Sequence, residues 1–336
     1  MQAKTDAIHI VYASDDRFAR VLGVSIASVL MTEPDAGRID ITVLDGGITP
    51  ENRRKIDDTC RKYGCGTPRY LKMDDLTGLL GERVQTDRGS IMQYARIFMG
   101  RLPYDRVLYL DCDVMLRKPV SELWNTALGD KIMAAVPDVF SRYYRKGMEL
   151  EPDEAIYNNG VMLVDLEKWR QQGIEEKVLA FIRRHFGRPI KDDLGALNGV
   201  LSRDTLALSP SWNAVTAFYD FTYEEMLYYR KPPAYYPKET VEMAAANPFA
   251  VHFTSSFCSV RPWEKGCRHP FAGEYEKIKR TTPWADDPLA EPRKSMPTRL
   301  LNSLPWGLRL RIAACLQAYI RPLYSLFRER TRKVGH

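Results

Sequence analysis

Two carboxylates one residue apart, Asp111 and Asp113, directly follow the short apolar run 106–110. A run of this length and composition is typical of a buried β-strand. Carboxylates at the open end of a strand offer hard oxygen ligands, and a divalent cation held there can bind a diphosphate. The same pair could instead only end the strand and cap the turn into Lys118 and Pro119. The triplet therefore indicates a candidate cation site, with a purely structural alternative left open.

The bulk composition predicts a globular protein. The chain has 336 residues, of which 45% are hydrophobic and 27% charged, enough for one large or two modest domains. The first residues lead straight into a strand-like segment without a secretory leader, and no apolar run is long enough to span a bilayer. The six cysteines form no CxxC pair or framework spacing, so we expect free thiols in a reducing cytosol.

The positive charge is concentrated at the C-terminal end. Ten basic residues and one acid lie from Arg293 onward, a net charge of +9 against +6 for the whole chain, which leaves −3 for residues 1–292. Because the body is mildly acidic, it is not expected to bind nucleic acid.

Strand and helix patterns alternate through the first half of the chain. This alternation predicts an α/β fold with a mostly parallel, doubly wound sheet and right-handed crossovers. Ligands of such sheets bind at the carboxyl ends of the strands, where Asp15, Asp45, Asp111 and Asp138 fall. The predicted strands cover 8–13, 39–44, 68–71, 106–110, 132–136 and 161–164, and the predicted helices cover 15–31, 50–63, 90–99 and 166–185.

Three regions are predicted along the chain. Residues 1–270 form the body, and prolines punctuate 271–296, which indicates a linker. Residues 297–336 carry apolar side chains at helical spacing among basic ones. A basic amphipathic segment of this kind can lie in the headgroup region of an anionic membrane. The alternative is a C-terminal helix whose apolar stripe packs onto the body.

Further motifs accompany the carboxylate pair in a fixed order. They are Val11 to Asp16, Tyr94-Ala95-Arg96, Asn158-Asn159-Gly160 with the run to Leu166, Lys168-Trp169, Asp193 to Gly199, Trp212-Asn213, His252-Phe253-Thr254 and Arg261-Pro262-Trp263. In order and spacing, residues 7–270 resemble the retaining glycosyltransferases of family 8, the relatives of glycogenin and lipooligosaccharide galactosyltransferases. The resemblance implies a GT-A-type nucleotide-sugar-binding fold and metal-dependent transfer of a hexose, glucose or galactose, from a UDP-sugar.

The resemblance also implies the metal ligands, which are Asp111, Asp113 and His252. Mn²⁺ (or Mg²⁺) is the expected cofactor, and a site with two carboxylates and one imidazole suits Mn²⁺ better than Ca²⁺. His252 alone, without the family pattern, would be interpreted as a half-buried histidine at a strand end.

Donor-binding positions follow from the same resemblance. Asp15 is expected to contact the uracil or ribose, although it could also cap a helix, and Arg96 to bridge diphosphate and sugar, although it could also be a surface charge. Asp138, Asn158 and Asp193 match positions that hold sugar hydroxyls. Arg261 stands near a family lysine, with three extra residues within 255–260. The full donor-binding set is Ala13, Ser14, Asp15, Arg17, Ser90, Arg96, Asp111, Cys112, Asp113, Asp138, Asn158, Asn159 and Arg261.

One catalytic position departs from the family pattern. The residue beside the anomeric carbon is normally glutamine, and here it is Leu194. Asp192 or Asp193 could take over its role, the acceptor could react by front-face attack assisted only by the leaving phosphate, or turnover could be low. The catalytic candidates are therefore Asp192, Asp193 and the altered position Leu194.

The expected product is a glycan or lipid-linked sugar of the cell envelope, such as lipopolysaccharide, made in the cytoplasm at the inner face of the membrane. Two other functions fit parts of the sequence. A nucleotide-sugar-binding pseudoenzyme would explain Leu194. A haloacid-dehalogenase-type phosphatase also has an apolar strand followed by Asp-x-Asp, with the first aspartate as nucleophile, but its motif normally lies on the first strand of the domain.

Overall fold

The computed structural model describes residues 7–81, 84, 90–292 and 295–333. Within these residues ten strands form two sheets. The strands are β1 (Ile8–Ser14), β2 (Ile39–Asp45), β3 (Arg69–Lys72), β4 (Arg106–Leu110), β5 (Val114–Leu116), β6 (Met133–Pro137), β7 (Tyr157–Asp165), β8 (Thr205–Ala207), β9 (Ala214–Val215) and β10 (Ala250–His252). The large sheet has the order β3-β2-β1-β4-β7-β6-β8, and the small sheet has the order β5-β10-β9.

Helices cover both faces of the large sheet and bury its apolar residues in two clusters, one on each face. The α-helices are α1 (Ala19–Thr32), α2 (Pro50–Lys62), α3 (Leu76–Leu80), α4 (Val120–Trp124), α5 (Leu166–Gln171), α6 (Ile174–Arg184), α7 (Asp192–Leu201), α8 (Ala217–Asp220), α9 (Tyr223–Arg230), α10 (Lys238–Ala246), α11 (Ala272–Lys279), α12 (Met296–Asn302), α13 (Trp306–Cys315) and α14 (Arg321–Lys333). The 3₁₀ helices include Asp16–Phe18, Ile91–Arg101, Arg142–Met148 and Pro210–Asn213, and Leu316–Ile320 is π-helical.

The predicted α/β class and strand positions are confirmed, but the large sheet is mixed. Strands β3, β2, β1 and β4 are parallel, whereas β7 runs antiparallel to both β4 and β6. The direction of β7 could not be seen in the sequence, because eight of its nine residues are buried. A continuous buried run predicts a central strand and not its direction. The predicted helix 166–185 is also divided, since Gly173 adopts a left-handed conformation (φ 61°) between α5 and α6.

The small sheet joins distant parts of the chain. Strand β10 pairs antiparallel with β5, which follows the Asp-Cys-Asp triplet, and parallel with β9. The pairing sets His252 opposite Val114 on one side and Val215 on the other. As a result, the last strand of the body is held next to the carboxyl end of β4.

Much of the segment 271–296, which the sequence predicts to be a linker, packs on the body. Helix α11 and the turns after it pack on the body, and the buried Trp284 ring occupies the space where a Cβ on Gly23 of α1 would lie. The ammonium group of Lys279 is buried beneath these turns and donates to the backbone oxygens of Ala285 (3.1 Å) and Asp287 (2.7 Å). Proline spacing indicates an absence of long helices and strands, but it does not exclude packing by large apolar side chains.

The C-terminal segment 297–336 presents two different faces. Leu310, Ala313 and Ala314 of α13 are buried against the body, and Ser141 donates a hydrogen bond to the backbone oxygen of Ala318 (2.7 Å). An opposite apolar face is exposed. It consists of Leu316, Ile320, Leu323, Tyr324 and Phe327, which are between 43% and 65% exposed. The basic residues Arg293 and Lys294 and the last residues 334–336 lie outside the described residues.

Among the described residues, no helix combines the length and the apolar character needed to cross a lipid bilayer.

His269 is a partly buried histidine among the aromatic rings of Tyr219, Phe253 and Phe271. Its Nδ1 accepts a hydrogen bond from the backbone N–H of Phe271 (3.2 Å), so the neutral ring carries its proton on Nε2. Burial lowers the pKa of His269 from 6.5 to about 4. Protonation on acidification would therefore place a charge in this aromatic setting.

We expect His269 to make the protein sensitive to mild acid. The unfolded chain takes up this proton near pH 6.5 and the folded chain only near pH 4, so stability is complete above pH 6.5 and falls as the pH drops towards 4. The loss of unfolding free energy through this group should be about 3 kcal/mol by pH 4. Urea denaturation across this pH range should show a smaller loss for His269→Phe than for the wild type. Parallel pH profiles for the two proteins would contradict the prediction.

Candidate active site

Three candidate metal ligands converge where β4 ends. Asp111 follows β4, and its backbone N–H donates to the oxygen of Gly160 (2.8 Å), while Asp113 precedes β5. The Nε2 atom of His252 lies 3.1 Å from Oδ1 of Asp113 and 3.9 Å from Oδ2 of Asp111. One ligand atom from each of the three residues lies within 4.8 Å of the other two. The structure thus brings together the three residues that the family resemblance predicted.

The chemistry of this donor set fits a divalent cation. Burial alone would raise the pKa of Asp113, but the neighbouring His252 and the guanidinium of Arg261 outweigh it and hold that pKa well below its usual range. Asp113 therefore presents an ionised carboxylate. Two carboxylates and an imidazole suit a transition metal such as Mn²⁺.

Gly160 leaves the space that the His252 ring occupies. A Cβ built on Gly160 would overlap Cε1 of the ring, the nearest atom to it. We expect Gly160→Ala to displace the imidazole and lower turnover about 100-fold, since displacements of an ångström in an active site have effects of this size.

The Gly160→Ala test needs a folded variant and a matched glycine. A Cβ added to Gly273 in α11 would meet no neighbouring atom within 4 Å, so Gly273→Ala should keep full turnover. Circular dichroism would check folding and a donor-turnover assay would measure activity. Turnover of Gly160→Ala within a few-fold of the wild type would show that the ring tolerates the methyl group.

Arg96 is the centre of a buried charge cluster. Its guanidinium donates to Oδ1 of Asp111 (2.8 Å) and to the backbone oxygen of Asn159 (2.6 Å), and its Nε lies 3.2 Å from Oδ2 of Asp193. The group also stacks on the Tyr109 ring, 4.4 Å from the ring centroid. Burial alone would lower the pKa of Arg96. The negative charge around it, that of Asp111 above all, outweighs burial and raises this pKa above its usual value, so the guanidinium stays charged. Since Arg96 is only 5% exposed, it is not a surface helix charge.

A cleft of about 400 Å³ opens beside the ends of β1 and β2. Asp15, Arg17 and Ser90 line it, and both Arg17 (2.7 Å) and Ser90 (3.3 Å) donate to Oδ2 of Asp15. The other carboxylate oxygen, Oδ1, is buried and accepts no hydrogen bond from the described residues. Asp15 also makes no side-chain capping bond to the following 3₁₀ turn. Asp15, a residue of the cleft wall, thus has one carboxylate oxygen that the described residues leave without a hydrogen bond.

Other predicted donor residues surround the same strand ends. Cys112 donates a hydrogen bond to the backbone oxygen of Ala13 (3.3 Å), which joins the triplet to the end of β1 beside Ser14. The Nδ2 of Asn158 donates to Oδ2 of Asp138 (2.7 Å).

Arg261 reaches the metal site despite the three extra residues before it. Its guanidinium donates to Oδ2 of Asp113 (2.6 Å) and to the backbone oxygen of Phe253, and it lies over the Trp263 ring. The insertion therefore does not separate Arg261 from the site.

The three catalytic candidates lie at the start of α7. Lys191 (φ 64°) and Asp192 (φ 58°) are both left-handed, a strained conformation for non-glycine residues that recurs at functional sites. Asp193 points to Arg96, as described above. Leu194 packs instead beside an apolar cluster that includes Phe140 and Tyr144.

Sequence analysis assigned no role to two residues that support the site. Gly160 and Asn213 both stood in quoted motifs, Asn-Asn-Gly and Trp-Asn, but neither carries ligand chemistry by itself. Asn213 is 1% exposed and its Oδ1 lies 2.9 Å from Nδ1 of His252. The pairing of β9 with β10, and the hydrogen bond from the Phe249 N–H to the oxygen of Ser211 (2.8 Å), bring the two side chains together.

This chain is similar to known proteins in both sequence and structure. A family model described as Glycosyl transferase family 8 matches residues 9–267. General stress protein A of Bacillus subtilis (strain 168) is 31% identical over 290 residues, which cover 84% of this chain and 96% of that protein. The lipopolysaccharide 1,2-glucosyltransferase of Escherichia coli (strain K12) is 23% identical, over 84% of this chain and 80% of its own length. A solved structure of the galactosyltransferase LgtC with donor and acceptor sugar analogues aligns with a TM-score of 0.69 and 26% identity, over 82% of this chain and 96% of that chain.

Proposed function

The chain belongs to glycosyl transferase family 8, and we propose that it transfers a hexose, glucose or galactose, from a UDP-sugar with retention of configuration. It is a glycosyltransferase with the GT-A-type fold, as the resemblance predicted. The observation that carries the proposal is the convergence of Asp111, Asp113 and His252 beside a cleft at the strand ends. The phosphatase alternative is excluded by the family, and Asp111 follows β4 and not the first strand.

The proposed metal site supports departure of the nucleoside diphosphate. Mn²⁺ or Mg²⁺ bound by Asp111, Asp113 and His252 would offset the negative charge that develops on the leaving diphosphate. Arg96 donates to the Asp111 carboxylate and Arg261 to the Asp113 carboxylate, so the ligand oxygens are oriented before a donor binds.

The proposed donor orientation follows from the cleft. The unpartnered Oδ1 of Asp15 supports binding of the uracil or ribose between Arg17 and Ser90, with Ala13, Ser14 and Cys112 at the adjacent strand ends. The sugar would then lie towards Asp138, Asn158 and Asn159. Both side-chain atoms of the Asn159 amide are buried and have no hydrogen-bond partner among the described residues, which suits contact with sugar hydroxyls.

Leu194 shapes the proposed chemistry. No amide is available at this position, and Asp193 is the carboxylate that Arg96 orients towards the metal site. We propose that Asp193 stabilises positive charge on the sugar in the transition state, with Asp192 in the strained turn beside it. Asp193→Asn should then reduce turnover more than Leu194→Ala does.

A chelation experiment tests the proposal and separates it from the pseudoenzyme. UDP release from UDP-glucose and UDP-galactose is measured with Mn²⁺ and after thorough chelation with EDTA. We expect turnover that EDTA abolishes and Mn²⁺ restores. Equal activity after chelation would contradict the metal role, and tight donor binding without transfer or hydrolysis would establish the pseudoenzyme that Leu194 favours.

We propose a glycan or lipid-linked envelope acceptor, reached at an anionic membrane surface. The exposed apolar face that begins at Leu316 and ends at Phe327 supports this, as does the excess of basic residues in the same segment. The Escherichia coli relative is named for lipopolysaccharide, which fits the same class of acceptor.

The membrane hypothesis can be tested without removing the packed helix α13. Leu323 and Phe327 are both exposed. The double substitution Leu323→Glu and Phe327→Glu should abolish salt-sensitive binding to vesicles that contain anionic lipid and leave donor hydrolysis unchanged. If the wild type ignores such vesicles at low salt, the segment serves only to pack on the body.

A further inference from the structure

A chain of buried hydrogen bonds lies behind the His252 ligand. Asn213 contacts the ring on the side away from the carboxylates, with its Oδ1 2.9 Å from Nδ1 of His252. Its Nδ2 donates to Oδ1 of Asn158 (2.9 Å). Asn158, in turn, connects to Asp138 and to the backbone of Gly160. The orientation of these side-chain amides determines which ring nitrogen of His252 carries a proton.

The backbone of Gly160 fixes the direction of the whole chain. Its N–H can only donate, and it lies 2.8 Å from the side chain of Asn158, so the atom it meets must be the amide oxygen. The other end of Asn158 is then the NH₂ group, which agrees with its donation to the acceptor-only carboxylate of Asp138 (2.7 Å). Both neighbours therefore assign the same orientation to Asn158.

The orientation of the Asn158 amide determines that of the Asn213 amide. Because the oxygen of Asn158 faces Asn213, Asn213 must present its NH₂ group there and its own oxygen to His252. An amide oxygen only accepts, so Nδ1 of His252 must carry a proton. The opposite ring atom, Nε2, faces Asp113 and Asp111.

We infer that Asn213 is a positioning residue, which holds His252 in the tautomer protonated on Nδ1 and so keeps Nε2 available to bind the cation. This inference rests on the metal role proposed above and adds to it the residue that orients the imidazole. Metal-bound histidines commonly donate their second ring N–H to an acceptor, and loss of that acceptor typically weakens metal binding.

The surroundings make this orientation rigid. Asn213 is 1% exposed and Asn158 is 7% exposed, so bulk water does not compete for these bonds. Asn213 ends the 3₁₀ turn Pro210–Asn213 directly before β9, and β9 pairs with β10 through Val215 and His252. Backbone pairing thus sets the distance between Asn213 and the ring, and the amide chain sets the direction of the bond.

Mn²⁺ titration of the full chain without donor tests the inference. Asn213→Ala removes the acceptor. Asn213→Asp, protonated on the oxygen that faces Oδ1 of Asn158, keeps an oxygen that can accept from Nδ1 and an O–H that can donate to Asn158. We expect Asn213→Ala to weaken Mn²⁺ binding about 10- to 100-fold and Asn213→Asp to bind at least about tenfold more tightly than the alanine variant. Gln317→Ala is the matched control. Gln317 is also a buried amide, and it accepts a hydrogen bond from Arg321 (2.7 Å) in the C-terminal segment, so its loss should leave Mn²⁺ affinity unchanged.

A second measurement reads the tautomer directly. In metal-free wild-type and Asn213→Asp proteins labelled with ¹⁵N-histidine, two-bond ¹H–¹⁵N correlations at alkaline pH should show the His252 proton on Nδ1. A neutral ring protonated on Nε2 would overturn the inference, even if Asn213→Ala failed to fold.

The remaining outcomes are equally decisive. Unchanged Mn²⁺ affinity in Asn213→Ala would overturn the inference and leave the proposed function intact. Equal weakening in the folded alanine and aspartate variants would also overturn it, because the residue would then act through packing. A wild-type chain that binds no Mn²⁺ would defeat the metal role itself, and the inference with it.

Discussion

Replacing Asp113 with asparagine is expected to lower turnover in sugar transfer about a thousandfold or more. The substitution keeps the size of the side chain and removes the charge that faces both His252 and Arg261. In the proposed mechanism, the cation held at this point contributes several kcal/mol of charge stabilisation in the transition state. A loss of about 4 kcal/mol corresponds to about a thousandfold in rate.

The Asp113→Asn test requires that the fold be retained. UDP release would measure turnover, and near-ultraviolet circular dichroism would compare tertiary packing with that of the wild type. Asp57→Asn is a matched control, because Asp57 lies on α2, away from the site, and accepts a hydrogen bond from Tyr70 of β3 (2.8 Å). Turnover within tenfold of the wild type, or loss of folding, would favour a structural role for Asp113.

Replacing Arg96 with methionine is expected to have the largest effect on stability. Methionine keeps much of the length of the side chain but leaves the Asp111 and Asp193 carboxylates without their shared cation. Removing one partner of a buried ion pair typically costs about 3–5 kcal/mol, because the remaining charge is left uncompensated. Turnover should fall as well, since both carboxylates lose their orientation.

Urea denaturation at neutral pH would measure the Arg96→Met effect. Arg17→Met provides the comparison, because the side chain of Arg17 is 70% exposed while it pairs with Asp15. Its loss should change the free energy of unfolding by less than about 1 kcal/mol. If the two variants lose similar stability, the buried cluster around Arg96 contributes no more than a surface ion pair.

Most of the site could be predicted from the sequence where the signal was local. The apolar run before Asp111 predicts β4, and the motif order identifies His252 and Arg96 through the family resemblance. The contacts of Arg96 could not be predicted in the same way. A helical arginine is usually a surface charge, and its burial here depends on Asp193 and Asn159, which other elements of the fold bring to it.

Features fixed by tertiary pairing were not visible in the sequence. The direction of β7 depends on its two neighbouring strands, since a strand buried on both faces has the same residue pattern in either direction. Asn213 acquires its role only when β9 pairs with β10. The packing of 271–292 depends on Tyr275 and Trp284, two large side chains among prolines that otherwise indicate a linker.

In the small sheet of β5, β10 and β9, cation affinity is linked to the free energy of bringing two distant parts of the chain together. Asp113 and His252 are far apart in sequence and meet only after β10 has paired with β5. Closing such a long loop is slow and entropically unfavourable. A cation that binds only the closed arrangement stabilises it by mass action, by about 2.7 kcal/mol at a concentration of 100 times Kd. A higher cation concentration should therefore lower the fraction of molecules in which β10 is detached, which hydrogen exchange at the Val251 amide can follow.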